Sequence, residues 1–327
     1  MDDNDKTLDE LINFLNKQPG SRPKAIAEEL GVTRQYVQRL LANNKDKFSV
    51  SGSGPNRFYR NKDFSKTIDT DTPAIDNPEE FRLIEDNFYS LTPLGEELIG
   101  YDGFIKWCNA RKLDANAKKE EYISIITKYY GNNFKTPIDF TSKLNATLKD
   151  SSLKKVWSID YYNFEVFGKT KLGTQVVIAK QTGDKETMAS LIQRLEPVVR
   201  EIISKYDIDA IAFTPPTIQR QSQLMTMLDN GLKINIPRVK IHKVGAKILI
   251  AQKTLKRLDD RILNASQTFI VESDAQHKNV LIIDDALGSG ATLNEIGKQI
   301  IQKKIAETCY GLVLVASPSG YEVINEA

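Results

Sequence analysis

The chain has 327 residues, 40 % of them hydrophobic, and a formal net charge of +2, which fits about two domains with buried cores. It has no apolar run of the ~20 residues that a membrane-spanning helix needs. Its first residues, MDDNDKTLDE, are too acidic and polar for a secretory signal. Cys108, Cys309, His242 and His277 are the whole complement of cysteine and histidine. That excludes a disulfide framework and a His-rich metal site, and the expected compartment is a reducing cytoplasm.

Charge is unevenly placed along the chain. Residues 22–62 hold nine Lys/Arg against three Asp/Glu, and residues 63–99 hold ten acids against two bases. A basic block followed by an acidic one points to a polyanion-binding module at the N-terminus. Thr7-Leu8-Asp9-Glu10 reads as a capping box opening a helix on Leu8, Leu11, Ile12 and Leu15. Pro19-Gly20 ends it, Ser21 is placed to cap a second helix (RPKAIAEEL), and Gly31 supplies the bend before a third, TRQYVQRLL. Tyr36, Val37, Leu40 and Leu41 are its expected buried face, and Thr33, Arg34, Gln35, Gln38 and Arg39 its outward face. FSVSGSGPNRFYR then reads as two strands around a turn. This order resembles a winged helix-turn-helix domain over residues 1–62. The resemblance implies DNA or structured RNA as a partner, with the third helix at base edges and Lys47, Arg57 and Arg60 on phosphates. A protein-docking winged helix with a solvated basic face is the alternative.

Residues 63–150 are expected to be a polar linker and a helical middle segment. PEEFRLIEDNF, TPLGEELIGYDGFIKWCNA and KKEEYISIITKYY all show helical periodicity, with Phe104, Ile105 and Trp107 as a small core. This segment reads as a spacer or dimerisation element, so a homo-oligomer is expected.

From residue 151 to 327 strands alternate with helices, the pattern of a doubly wound α/β domain that binds ligands at the carboxyl ends of parallel strands. KVWSIDYYNF and TQVVIAK read as an antiparallel hairpin across Gly168–Gly173. ETMASLIQRLEPVVREIISKY is a helix, IDAIAFTPP a strand, RQSQLMTMLDNGL a helix and RVKIHKV a strand. QKTLKRLDDRIL is helical or mobile, and VLIID, ATLNEIGKQIIQKK and CYGLVLVAS form strand–helix–strand. In VLIIDDALGSGAT the strand delivers Asp284 and Asp285 to the sheet edge. Gly288 and Gly290 let the backbone turn tightly, Ser289 and Thr292 add hydroxyls, and the helix from Ala291 adds its positive end. Two carboxylates beside such a loop suit a ribose 5-phosphate: its hydroxyls donate to the acids while its phosphate sits on the loop.

VLIIDDALGSGAT resembles the phosphoribosyl pyrophosphate (PRPP) motif of type I phosphoribosyltransferases. AKQTGDKE, FTPP with Arg220, and Gln252, Leu255, Arg261, Asn264 and Phe269 resemble the ComF-like branch, over residues 155–318. The resemblance implies that Asp284 and Asp285 hold the ribose hydroxyls and, indirectly, Mg²⁺. Ala286, Leu287, Gly288, Ser289, Gly290, Ala291 and Thr292 would hold the 5-phosphate. Thr214, Pro215, Pro216 and Thr217, with Arg220, would form the pyrophosphate loop, and residues 245–267 a mobile hood bringing Lys253 and Arg261. The chain departs from the pattern where Gly288-Ser289 replaces two hydroxyl residues, and where RQSQ replaces R-G-F-N-Q. The function implied is Mg-dependent transfer at the anomeric carbon, coupled to nucleic-acid binding. The alternatives are a PRPP-sensing transcriptional regulator and the effector of an antiphage, retron-like defence module with a partner protein.

Overall fold

A computed structural model describes residues 3–17, 21–51, 57–61, 78–131, 136–148, 150–216, 223–244, 255 and 257–318. The chain divides into two compact units, Met1–Ala74 with Asn109–Leu113, and Ile75–Cys108 with Asp114–Ala327.

The first unit contains α1 (Asp3–Lys17), α2 (Pro23–Leu30), α3 (Arg34–Asn43), β1 (Phe48–Ser51) and β2 (Phe58–Asn61). The two strands pair antiparallel, Phe48 opposite Asn61. Leu11, Leu15, Ile26, Val37, Leu41 and Phe48 form the core, as the 3.6-residue period predicts. Two caps differ from expectation. Helix α1 already runs at Asp3, so Thr7 lies inside it. Ser21 does not cap α2, whose N-cap is Arg22 with no side-chain bond. Instead the Ser21 carbonyl accepts from the Tyr59 N–H at 3.0 Å, tying the helix approach to β2. Thr33 is the true cap of α3, its hydroxyl accepting from the Tyr36 N–H at 3.3 Å.

The second unit opens with α4 (Pro78–Asn87), β3 (Tyr89–Leu91), β4 (Glu97–Ile99), α5 (Gly100–Ala110), α6 (Ala115–Tyr130), β5 (Ile138–Asp139) and α7 (Thr141–Thr147). The α/β part follows: β6 (Leu153–Tyr161), β7 (Asn163–Phe164), β8 (Gly168–Lys169), α8 (Lys171–Thr182), α9 (Lys185–Tyr206), β9 (Ala210–Phe213), α10 (Leu224–Gly231), β10 (Arg238–Lys243), α11 (Leu258–Thr268), β11 (Phe269–Glu272), β12 (His277–Leu287), α12 (Ala291–Gln302) and β13 (Ala306–Ala316). A seven-stranded sheet has the order β11-β10-β9-β12-β13-β6-β5. Its five inner strands are parallel, and β11 and β5 are antiparallel edges.

Strand alternation sorts the core onto two faces. Leu281, Ile283, Tyr310, Leu312 and Leu314 pack with Leu172 and Val176 of α8 and with α9 and α10. The opposite face holds α12: a Cβ at Gly311 would contact Leu293 of α12 and Val156. Helices therefore cover both faces of the sheet, as the α/β reading expects.

The predicted hairpin is not formed. TQVVIAK lies in α8, a helix capped by Thr170, whose hydroxyl accepts from the Gly173 N–H at 2.9 Å, and ended by Gly183 in the left-handed region. Leu172, Val176 and Ala179 recur at helical spacing and are buried. These local signals and the core they fill outweigh the strand propensity of Val176, Val177 and Ile178.

The middle segment is not wholly helical either, because β3 and β4 form a small antiparallel pair before α5. Phe104 and Trp107 are buried and Ile105 is only half-buried. Phe88, Phe104, Trp107 and Tyr122 form an aromatic cluster that reaches Phe167, just ahead of α8. Through that cluster and β5, these residues pack as part of the α/β unit.

Candidate functional site

Strand order locates the site. From β9 the chain turns outward to β10, and from β12 it turns the other way to β13, so the direction reverses between β9 and β12. The crevice at such a reversal is where open parallel sheets bind ligands. Pairing of β9 with β12 ends at Phe213↔Ile283, whereas β12 stays paired with β13 as far as Leu287↔Ala316. Asp284 and Asp285 thus remain within β12, which runs on to Leu287 instead of ending at the acids as expected, and project past the end of β9.

The two acids are held differently. Asp284 Oδ1 accepts from the Thr214 hydroxyl at 2.5 Å and from the Asp285 N–H at 2.8 Å. Asp285 shares the strand face of Leu281 and Ile283, toward α8, and pairs with Lys180 at 2.7 Å. Burial, and secondarily the Asp285 carboxylate, raises the Asp284 carboxyl to about 7; the Thr214 and Asp285 hydrogen bonds and Lys180 pull the other way. A strongly perturbed acid in a crevice is a mark of a functional site.

Lys180 is the residue that sequence reasoning missed. It lies within AKQTGDKE, but the hairpin reading gave it no place near the acids; only a helical α8 delivers it there.

Thr214, 3 % exposed, supports Asp284 and is engaged with the protein. Its N–H also donates to the Ile283 carbonyl at 3.0 Å. Pro215 and Pro216 follow, half-buried. Thr217, Arg220 and Lys253 lie outside the described residues.

The loop after the acids is compact. Leu287 and Ser289 are buried, Ala286 and Gly288 half-buried. Gly290 has φ +77 and is the N-cap of α12, a conformation that L-residues with a Cβ adopt at a cost. The Ser289 hydroxyl accepts from the Ala291 N–H at 3.4 Å, and Thr292 is half-buried in the first turn. A 12-residue helix thus starts at the loop with its positive end toward it.

Arg261, 6 % exposed, comes to this loop from α11. Its Nη1 lies 3.9 Å from where a Gly288 Cβ would be, and its Nε donates to the Leu255 carbonyl at 2.8 Å. The sequence reading assigned Arg261 to the pyrophosphate; the geometry sets its guanidinium against the loop, where Gly288 lacks a hydroxyl.

In the first unit, Thr33, Arg34, Gln35, Gln38, Arg39 and Arg57 are exposed and Lys47 is half-buried. Arg39 lies 5.5 Å from the ring centroid of Tyr36, which is itself only half-buried. Arg60 falls in β2, and the turn at residues 52–55 lies outside the described residues.

Among the described residues no helix is long and apolar enough to cross a membrane, and no group of three His, Cys, Asp or Glu could hold a metal ion by itself. Both cysteines are buried, and neither is in a disulfide.

No protein-family profile matches the chain, and no curated protein matches it. Among solved structures, a hypoxanthine phosphoribosyltransferase from Staphylococcus aureus overlays at TM-score 0.26 and 16 % identity, covering 43 % of this chain and 70 % of that one. An adenine phosphoribosyltransferase from Leishmania tarentolae overlays at TM-score 0.25 and 15 % identity, covering 44 % and 77 %. Overlays this distant identify no family.

Proposed function

We propose that the second unit binds a 5-phosphoribosyl ligand, PRPP in the first instance, and transfers its ribosyl group at the anomeric carbon, coupled to nucleic-acid binding by the first unit. The observation that carries this reading is the pair Asp284–Asp285 at the sheet's reversal point, followed directly by a small-residue loop and a helix N-terminus. The acids accept hydrogen bonds from the vicinal ribose hydroxyls, and the loop amides and helix end receive the 5-phosphate. Two adjacent carboxylates suit Mg²⁺, which is commonly held by one or two carboxylates plus substrate phosphates. Bound there, the ion would neutralise charge on the departing pyrophosphate. The bond from C1 to the pyrophosphate oxygen breaks, pyrophosphate leaves with the electron pair, and an acceptor nitrogen bonds to C1.

This reading carries a pH signature. An ionised Asp284 accepts from a hydroxyl pair more strongly than a protonated one, and its carboxyl is raised to about 7. PRPP affinity, measured by calorimetry, is therefore expected to rise from about pH 6 to about pH 8. A profile flat over that range contradicts a role for Asp284 in binding.

The exposed guanidiniums and amides of α3 favour a regulatory form of the same proposal, in which PRPP modulates nucleic-acid affinity. A first unit that neutralises several phosphates should lose roughly a hundredfold in DNA affinity between about 50 and 200 mM salt. Arg34→Ala and Arg39→Ala should each weaken binding further. Salt-independent binding removes the phosphate contacts from the account, and docking of a protein on this face becomes the better reading.

A further inference from the structure

Residues 138–148 precede the α/β part of the chain, yet they close over the loop that follows the acids. Pairing of Ile138 with Ser158 and Asp139 with Trp157 seats β5 on the sheet edge. The Asp139 carboxylate accepts from the Thr141 N–H at 2.8 Å, and the Thr141 hydroxyl accepts from the Val156 N–H at 3.1 Å. The start of α7 is thereby fixed to β6.

One turn later Leu144, 3 % exposed, reaches the loop: a Cβ on Gly290 would lie 2.1 Å from its Cδ1. Beside it the Lys143 ammonium donates to the Ser317 carbonyl at 3.1 Å. Ser317 is itself tied to the loop, its N–H donating to the Leu287 carbonyl at 3.1 Å. Between α7 and the loop lies a small, open-mouthed depression, lined among others by Lys143, Thr147, Gly288, Ser289 and Ser317. Among the described residues its lining includes one ammonium and no carboxylate.

We propose that Lys143 is a further anion-binding residue of this site, delivered by α7 to the phosphate of the ligand; this rests on the ribose-phosphate reading above. The ammonium carries three donors, so it can meet a phosphate oxygen while still bonded to Ser317. An ammonium facing a phosphate oxygen adds the attraction of opposite charges to the hydrogen bond, which a neutral carbonyl does not offer. Lys143 from α7 and Arg261 from α11 then bring two cations to a loop that has lost a hydroxyl at position 288. Gly290 is needed for a second reason beyond its φ: it admits Leu144, which sets the height of Lys143 over the loop.

The test is calorimetric titration of the full chain with ribose 5-phosphate and, separately, with inorganic phosphate. It compares the parent with Lys143→Met, Lys143→Gln and Lys143→Arg, each checked for an unchanged thermal unfolding midpoint. Loss of a charge-assisted bond predicts about tenfold weaker binding of both ligands by the Met and Gln variants, and near-parent affinity in the Arg variant. Equal affinity across all four proteins overturns the proposal while leaving the ribose reading intact. Binding of inorganic phosphate that depends on Lys143, without binding of ribose 5-phosphate, sustains the anion site and removes the ribose reading. No binding of either ligand overturns both.

Discussion

Asp284→Asn is expected to stabilise the protein above neutral pH. The Asp284 carboxyl is raised to about 7, first by burial and then by Asp285, whereas an unfolded aspartate titrates near 3.9. The folded state therefore holds the proton more tightly. The stability this supplies is fully present below about pH 4, and is lost as pH rises to about 7. Asn cannot ionise, yet its carbonyl oxygen can still accept from the Thr214 hydroxyl and the Asp285 N–H that now bond Asp284 Oδ1. The variant should match the parent near pH 4 and exceed it by about 1–2 kcal/mol near pH 8, several degrees in Tm. Thermal unfolding across that range decides it. Parallel profiles, or a variant less stable at pH 8, contradict the raised carboxyl. A gain would mean that the native acid is kept at the expense of stability, as binding sites often are.

Gly173→Ala is expected to act in the opposite direction and more strongly. In a helix interior this exchange ordinarily stabilises by about 1 kcal/mol. Here a Cβ would lie 2.1 Å from the Tyr162 carbonyl oxygen and 3.0 Å from its carbon. Both are backbone atoms, and Tyr162 is tied in place by two bonds: its N–H donates to the Ala316 carbonyl and its carbonyl accepts from the Thr170 N–H. The helix must move away, and overpacking of this kind predicts a net loss of about 3 kcal/mol. Because α8 carries Lys180, the displacement also loosens the 2.7 Å pair with Asp285. Denaturant unfolding gives the first quantity and the pH dependence of PRPP binding the second. Unchanged or increased stability would show that α8 does not sit against Tyr162 as described.

The part of the site legible in the sequence is the part made from one continuous stretch. A run of apolar residues, two acids, small residues and an amphipathic helix specify β12, the loop and α12 by local chemistry alone. The same holds for most of α1 to α3, where helical spacing identified the buried face except that Ile12 and Tyr36 are half-buried and Phe14 was missed. What escaped depends on distant partners. In α8 a β-branched run mimics a strand, and the deciding signals are the Thr170 cap, the left-handed Gly183 and the close approach at Gly173. The strands β3, β4 and β11 have three or four residues each, too few to show a period. Lys180 reaches Asp285 only through the packing of α8, and Lys143 meets the Ser317 carbonyl across 174 residues of sequence. Arg261 was singled out from the sequence, but its place at Gly288 required the fold.

The most direct measurement is calorimetric titration of the full chain with PRPP and Mg²⁺, beside the Asp284→Asn/Asp285→Asn variant. Saturable binding by the parent and its loss in a variant that remains folded are the expected results. Equal binding by both proteins, or none by the parent, would contradict the assignment of the acid pair and its loop as a ribose-phosphate site.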